Sequence, residues 1–335
     1  MIPLPFCIAT MVTDAQPALS PEQDAYLRGR SDVVGAYLVL HAWGVIALAM
    51  AFFIAWPNPL SFIVAVIVIG GRQLGLAILM HDAAHRALFK TTWLNDTLGA
   101  FLCGWPVGAS LTLYRPYHLS HHRHTQQKED PDLTLSAPFP ISKSSFWRKM
   151  RRDILGVTGY QRRMEFFRME MGDDPSRAKR WLNLWRAEKY FALSNLAILL
   201  VCAAAGVWWA YFALWLLPLL TWYQVISRIR NIAEHAVVGN NDDRLRNTRT
   251  TLTNWGMRMV LAPYWVNYHL EHHLFVFTPC WKLPAAHRML IAQGFGPRME
   301  LTQGYRQVLR KAISNPHDDP DHGKPADQRK SAALI

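Results

Sequence analysis

The sequence predicts an all-α integral membrane protein, with four transmembrane helices in two hairpins and a cytoplasmic helical cap. Three observations support this fold class: long uncharged apolar runs, an uneven distribution of Lys and Arg along the 335 residues, and groups of histidines at helical spacing. The overall hydrophobic content of 51% suits either a large soluble domain or a membrane protein, so the distribution of apolar residues along the chain decides between the two.

The apolar runs define the predicted spans. Residues 33–56 contain no Asp, Glu, Lys or Arg, and residues 60–80 are interrupted only by Arg72 and Gln73. A helix of about 20 such residues crosses the ~30 Å hydrocarbon core. The uncharged run at 190–227 suits two crossings, at 190–207 and 210–227. Because a charge within a span is costly, Arg72 should face the protein interior or a polar cavity.

The basic residues predict the orientation. Of the 36 Lys and Arg residues, 18 lie between Arg86 and Lys189 and 15 lie from Arg228 onward, while the two predicted external turns carry none. The positive-inside rule then places both termini and the long middle segment in the cytoplasm, with the protein in a bacterial inner membrane or an equivalent membrane. No nucleic-acid-binding motif accompanies the net charge of +12, so we expect no nucleic-acid partner.

One further stretch, residues 97–114, is uncharged and marginally long enough to cross. If it crossed, histidines before and after it would face opposite sides of the membrane. Because Gly104-Trp105-Pro106 and Gly108 interrupt it, we predict a helix that lies in the interface or dips into the membrane without crossing it.

The predicted domain organisation is simple. Residues 1–30 form an N-terminal cytoplasmic segment, residues 31–315 the membrane domain, and residues 316–335 a polar tail that we expect to be flexible. The four cysteines lack Cys-x-x-Cys spacing, so we expect reduced thiols.

Eight of the 14 histidines fall into three boxes. The boxes read His81-Asp-Ala-Ala-His85, His118-Leu-Ser-His121-His122 and His269-Leu-Glu-His272-His273. Residues three or four apart share one helix face, so each box offers two or three imidazoles to one point. A single pair of histidines four residues apart is usually a surface feature, but three such boxes in one chain indicate metal binding.

A fourth candidate element, Asn231-Ile-Ala-Glu-His235, places two potential ligands one turn apart shortly after the fourth span. His81 stands in a similar position after the second span. The candidate metal ligands are His81, His85, His118, His121, His122, Asn231, His235, His269, His272 and His273.

The histidines outside the boxes and the acidic residues within them give weaker indications of function. We expect structural or solvent roles for His41, His124 and His287. The acidic residues within the boxes, Asp82, Glu234 and Glu271, either accept the outer N–H of a ligating imidazole or remain solvated.

The number of ligands bears on the kind of metal centre. A zinc hydrolase needs about three protein ligands, often in a His-Glu-x-x-His motif that this sequence does not contain. Nine clustered histidines suit two metal ions, although imidazole binds Zn, Cu, Fe and Ni alike. Iron is favoured because oxidation of a lipid with no labile group requires a redox metal. A metal transporter is a distant alternative, since transport sites lie near the midplane and these boxes lie beyond the span ends.

The three boxes, the last within Tyr268-His-Leu-Glu-His-His-Leu-Phe275, resemble those of the membrane fatty acid desaturase family. The resemblance extends from about Leu60 to Met289, and the superfamily includes lipid hydroxylases and carotenoid ketolases. It implies a centre of two Fe held by the nine histidines, with Asn231 contributing directly or through water. It also implies O2 as co-substrate and removal of two hydrogens from an acyl chain supplied by the membrane.

The resemblance bears on partners as well. The sequence contains no His-Pro-Gly-Gly haem module of the fused cytochrome b5 type, so we expect a separate electron-donor protein of the ferredoxin or cytochrome b5 type. The alternative within the superfamily is a hydroxylase or ketolase that acts on a carotenoid, sphingoid or other lipid. The sequence leaves the choice between these reactions and the oligomeric state open.

Overall fold

The computed structural model describes residues 17–239 and 242–315. Residues 1–16 of the predicted N-terminal segment and the predicted tail at 316–335 therefore lie outside the described residues. Four helical segments are long and apolar enough to cross a membrane, which agrees with the predicted fold class: Asp32–Ala55, Pro59–Ala84, Arg177–Ala204 and Tyr211–His235.

The first hairpin follows a short helix, α1 (Pro21–Arg28), and consists of α2 (Asp32–Ala55) and α3 (Pro59–Ala84). The Ser31 side chain caps α2 by accepting a hydrogen bond from the Val34 N–H. Asn58 caps α3, where Pro59 occupies the first turn, a position that needs no donated N–H. The two helices pack along their length, and α3 becomes the central helix of the protein.

The uncharged stretch at 97–114 is an irregular helix as far as Val107, and Gly108 interrupts it as predicted. After α4 (Thr92–Leu98) come a π-helical turn at Gly99–Gly104 and a 3-10 turn at Trp105–Val107. Gly108, with a φ of +79°, ends the turn in the left-handed region that favours glycine. The chain then enters α5 (Leu111–His124), which brings the second histidine box back beside the first. The continuous helical run at 92–107 has 16 residues, fewer than the about 20 that a crossing needs.

The middle segment and the second hairpin follow. The helices are α6 (Leu133–Ser136), α7 (Lys143–Ile154), α8 (Val157–Met171), α9 (Arg177–Ala204), α10 (Leu217–Leu220) and α11 (Trp222–His235), with a π-helical turn at Tyr211–Leu216. Helix α9 begins 13 residues before the predicted start of the third span at residue 190. Its first turns are rich in basic residues, so a search for apolar runs does not detect them. Helix α11 extends past the predicted end at 227 and reaches His235.

The C-terminal part of the cap consists of short elements. These are β1 (Thr250–Leu252), α12 (Trp255–Val260), α13 (His269–Leu274), α14 (Leu283–Ala292), β2 (Leu301–Gln303) and α15 (Gly304–Ala312), with 3-10 turns at Pro263–Trp265, Cys280–Lys282 and Gly296–Arg298. Strands β1 and β2 pair in parallel, with Thr251 opposite Thr302. This small sheet lies next to α13, which carries the third histidine box.

Polar side chains within the spans find partners on neighbouring helices. Gln73 Nε2 donates to the Trp215 carbonyl at 2.7 Å, and Trp215 Nε1 donates to Asn195 Oδ1 at 2.9 Å. Arg72 is only 2% exposed, so it faces the protein interior as predicted. Because hydrocarbon cannot hydrogen-bond these groups, such contacts hold the two hairpins together.

The bounds of the membrane domain, residues 31–315, stay a prediction.

Candidate metal centre

Four elements bring nine of the ten candidate ligands together at one end of the spans. They are the last turn of α3, helix α5, the last turn of α11, and helix α13. The histidines form two groups, and the ligand nitrogens within each group lie within 4.8 Å of one another. One group is His81, His85, His118, His122 and His272; the other is His121, His235, His269 and His273.

The second and third boxes each divide between the two groups. His118 and His122, four residues apart on one face of α5, join the first group, while His121 joins the second. On α13, His269 and His273 are the pair four apart and join the second group. Since consecutive residues differ by about 100° around a helix, adjacent histidines point to different groups. Helices α5 and α13 therefore lie along both groups and connect them.

The ring nitrogens face one another at short distances. His122 Nε2 lies 2.9 Å from His118 Nε2 and 3.0 Å from His272 Nε2. In the second group, His269 Nε2 lies 2.8 Å from His235 Nε2 and 3.0 Å from His273 Nε2. Nitrogens that share one ion at about 2.1 Å and lie at right angles to each other are about 3 Å apart, so this convergence fits metal binding.

Unpartnered ring nitrogens give a second test of fit. The buried Nε2 atoms of His81, His85 and His121 have no hydrogen-bond partner among the described residues. A buried polar atom without a partner costs about 1–3 kcal/mol, and a metal ion would satisfy these atoms. The residues present therefore fit two metal ions.

The charge state of the imidazoles also fits metal binding. Burial lowers the pKa of His85 to about 3, with the nearby Arg115 cation adding to the shift. Burial, with the neighbouring His85 and His121 rings, lowers the pKa of His122 to about 2. Burial likewise holds the pKa of His118 and His273 well below the usual range. These imidazoles are neutral at physiological pH, and neutral imidazole is the form that binds metals.

Two residues that the sequence analysis missed hold ligand rings in place. Asp130 Oδ1 lies 2.8 Å from His121 Nδ1, and Asp130 Oδ2 accepts the Gln126 N–H at 2.8 Å. The Thr125 hydroxyl lies 3.1 Å from His273 Nδ1. A partner at Nδ1 fixes the tautomer and leaves Nε2 free for a metal. Asp130 stands nine residues from His121 in an irregular loop, so no helical spacing pointed to it.

The three box carboxylates have different surroundings. Asp82 Oδ1 lies 3.4 Å from His81 Nδ1, and Glu234 Oε2 lies 3.6 Å from His269 Nδ1. Neither Nδ1 atom has a hydrogen-bond partner among the described residues, so the expected acceptance of the outer N–H is not seen. Both carboxylates are buried, so the solvated alternative was wrong. For Glu271 both expectations were wrong. It is fully buried and therefore not solvated, and its partners are the Thr250 hydroxyl and His287 Nδ1, at 2.5 Å, which is not a candidate ligand.

The remaining candidates lie nearby. Asn231 is half-buried on α11, one turn before His235, and its role as a ligand stays a prediction. His287 has the structural role expected of it, through Glu271. His124 lies on α5 outside both groups.

A small cavity adjoins the centre on the side of α3. Its lining combines candidate ligands with apolar and polar side chains: His81, His269, His272, Ile78, Val266, Leu283, Asp82, Tyr264 and Cys280. This space next to the ring nitrogens has room for about one water-sized molecule.

Comparison with known proteins agrees with this site. A family model described as fatty acid desaturase matches residues 57–302, which include every candidate ligand. The chain belongs to the fatty acid desaturase family. Its membership makes it an oxidoreductase and removes the metal-transporter alternative.

Individual relatives within the family differ in what they act on. The chain is 30% identical over 275 residues to dihydrorhizobitoxine desaturase of Bradyrhizobium elkanii, covering 77% of this chain and 75% of that protein. It is 24% identical to sn-1 oleoyl-lipid 12-desaturase of Synechocystis, covering 76% and 75% of the two chains. It is 22% identical to beta-carotene ketolase of a Paracoccus species, covering 76% and 88%. The family is therefore shared by relatives with different substrates and products.

Proposed function

We propose that this family member is an O2-dependent, non-haem di-iron oxidoreductase that introduces a double bond into a lipid acyl chain. The observation that carries the proposal is the pair of buried histidine groups, each with enough converging nitrogens for one ion. The desaturases among the relatives support the reaction type.

The first group would hold one iron through five histidines and the second group the other through four. Asn231, one turn before His235 on α11, would be a further ligand of the second iron. When bound, a di-iron centre supplies O2 activation and the oxidation of an unactivated methylene pair. Burial keeps the imidazoles of His85, His118, His122 and His273 neutral. Asp130 and Thr125 orient two of the rings, those of His121 and His273. Ile78, Val266 and Leu283 line the adjoining cavity and make this side of the centre apolar.

The site is proposed to lie at the cytoplasmic surface. The Lys and Arg distribution supports cytoplasmic termini and a bacterial inner membrane or equivalent. In that orientation a lipid approaches from the bilayer while a separate ferredoxin-type or cytochrome b5-type donor delivers electrons from the cytoplasm.

A hydroxylase or ketolase of the same superfamily is the second candidate, and the beta-carotene ketolase relative favours it. The two reactions share the first hydrogen removal and differ in whether a second hydrogen leaves or an oxygen is added. The product distinguishes them: an alkene lacks two hydrogens, whereas the alternative product carries a new oxygen.

The direct test is lipid mass spectrometry of a host with and without the gene. We expect an acyl product that lacks two hydrogens, and we expect the His121→Ala variant to abolish it. His124→Ala, on the same helix but outside both groups, is the matched control and should retain it. A product with a new oxygen would replace desaturation by the second candidate, and a product that persists in His121→Ala would contradict the proposed centre.

A further inference from the structure

Helices α7 and α8, with the corner between them, carry a strong excess of positive charge. Residues 143–163 contain seven Lys and Arg residues and a single acidic residue, Asp153. None of these residues belongs to the two histidine groups. An excess of this kind attracts anions, so the surface that carries it is a candidate binding site for one.

Asp153 does not balance this charge, because its carboxylate is already engaged. It is fully buried and accepts from Arg228 Nε at 2.5 Å and from Arg228 Nη2 at 2.9 Å. It also accepts from the Thr158 hydroxyl at 2.5 Å. A bidentate pair matches one carboxylate to one guanidinium, and here the guanidinium comes from α11. The cations of α7 and α8 therefore gain little compensation from Asp153.

Three cations of α7 and α8 have no acidic partner: Lys149, Arg152 and Arg162, here called the cation cluster. Among residues 17–239 and 242–315 they make no ion pair. Arg152 Nη2 donates to Gln161 Oε1 at 2.5 Å, and Arg162 Nη1 donates to Gln224 Oε1 at 3.1 Å. A neutral amide orients a guanidinium without neutralising it. The contact with Gln161 is exposed, so the cation cluster reaches the protein surface.

The charges of the cation cluster act on one another. Burial, followed by the nearby Arg228 and Arg152 cations, lowers the pKa of Lys149 to about 8. Burial and then Arg228 also lower the pKa of Arg162. Lys149 and Arg162 thus both lie close to the Arg228 guanidinium, and a bound anion would relieve the repulsion between these cations.

The cation cluster lies at the level where the fourth span leaves the membrane. Arg228 is the first charged residue after the uncharged run at 190–227, and it stands seven residues before His235 on α11. A Cβ on Gly159 would lie 2.6 Å from the Leu220 carbonyl oxygen, so α8 packs directly against the same span. Lipid phosphates lie just outside the hydrocarbon core, at the height of this boundary.

Large apolar side chains share the exposed surface of α7 and α8 with the cations. Trp147 is 66% exposed and Leu155 is 67% exposed, and Ile154, Val157 and Tyr160 are exposed as well. In a segment that lies in the membrane interface, apolar groups enter the acyl region while long basic side chains reach the headgroups. At this height the exposed apolar groups face acyl chains, which favours a phospholipid over an acidic protein.

We propose that Lys149, Arg152 and Arg162 bind the headgroup phosphate of an anionic phospholipid in the leaflet nearest the histidine groups, with its acyl chains packed on Trp147 and Leu155. Three cations without an acidic partner favour a headgroup with a net negative charge over a zwitterionic one. This lipid site is separate from the metal centre, and the inference does not depend on the proposed reaction.

The test is native mass spectrometry of the purified full-length protein, released from detergent micelles that contain equal amounts of phosphatidylglycerol and phosphatidylcholine with the same acyl chains. We expect the first bound lipid to be phosphatidylglycerol, with an apparent affinity about tenfold or more above that of phosphatidylcholine. Excess inorganic phosphate should not displace it, because a free anion lacks the acyl contacts.

Variants assign the preference to the cation cluster. The double variant Lys149→Gln/Arg152→Gln should reduce it to within about twofold. The control Arg306→Gln/Arg310→Gln removes the same charge from exposed positions of α15 and should leave it intact. If the first double variant does not fold, Arg152→Gln alone decides, since this side chain is at the surface, and it should weaken the preference severalfold.

Equal binding of the two lipids by the wild-type protein would overturn the inference, as would a preference that persists in Lys149→Gln/Arg152→Gln, or in Arg152→Gln where that variant is used. Displacement by inorganic phosphate would reassign the cation cluster to a free anion and overturn the lipid site. A wild-type protein that shows no lipid preference and binds a plant-type ferredoxin through the same cations would reassign the surface to an acidic protein and overturn it too.

Discussion

At the scale of single residues, the candidate centre depends on neutral rings held in fixed orientations. The sequence predicted the nine histidines, since helical spacing fixes which side chains share a face. It did not predict how the boxes divide between two groups, because that depends on how α5 and α13 lie relative to each other. Asp130 was missed for a related reason: its contact with His121 depends on the path of a loop.

Asp130 provides a test of ring orientation. Asp130→Asn removes the charge that holds the His121 ring, and loss of such an outer partner typically lowers metal affinity 10- to 100-fold. We expect iron to be lost from this variant at a correspondingly lower chelator concentration. Glu129→Gln, an exposed neighbour, is the control and should match the wild-type protein. Equal iron retention by the two variants would mean that Asp130 does not orient a ligand.

At the scale of elements, the long apolar helices were predictable and their exact limits were not. Hydropathy located the spans, but the basic first turns of α9 and the irregular π-helical turn at Tyr211–Leu216 carry no hydropathy signal. The packing of α3 against the segment before the third box was also not predictable, because it depends on glycines whose role appears only when the two elements meet.

Gly75 tests that packing. A Cβ at Gly75 would lie 2.8 Å from Tyr264 Cε2, whereas a Cβ at Gly44 on α2 would meet nothing within 4 Å. We expect Gly75→Ala to lower the free energy of unfolding by about 1–3 kcal/mol through overpacking. Gly44→Ala should leave it unchanged or raise it by up to about 1 kcal/mol through helix propensity. Unfolding in mixed micelles measures both, and equal effects would contradict the close approach of α3 and Tyr264.

At the scale of the whole molecule, one centre assembled from both halves of the chain requires all boxes to face the same side. The rings of His81 and His118 lie 4.5 Å apart across the uncharged stretch at 97–114, whose helical run ends at Val107 and is too short to cross. Together with the distribution of basic residues, this arrangement predicts a single sidedness for residues 85–176 and 236–315.

Cysteine labelling tests this sidedness. In a background without native cysteines, the exposed positions Ser144 and Ala292, changed to Cys, should resist a membrane-impermeant thiol reagent in intact cells and react after lysis. Pro57→Cys, in the turn between α2 and α3, should react in intact cells. Labelling of the Ser144→Cys variant alone from outside would mean that residues 97–114 cross the membrane.

The most direct measurement of the central claim is the metal content of the purified protein. After expression in iron-replete medium, elemental analysis should give about two irons per chain, one for each histidine group. His235→Ala, which removes one of the four nitrogens of the second group, should lower this to about one and abolish activity, while His124→Ala should retain both irons. Stoichiometric zinc that supports activity, or unchanged iron in His235→Ala, would contradict the di-iron centre.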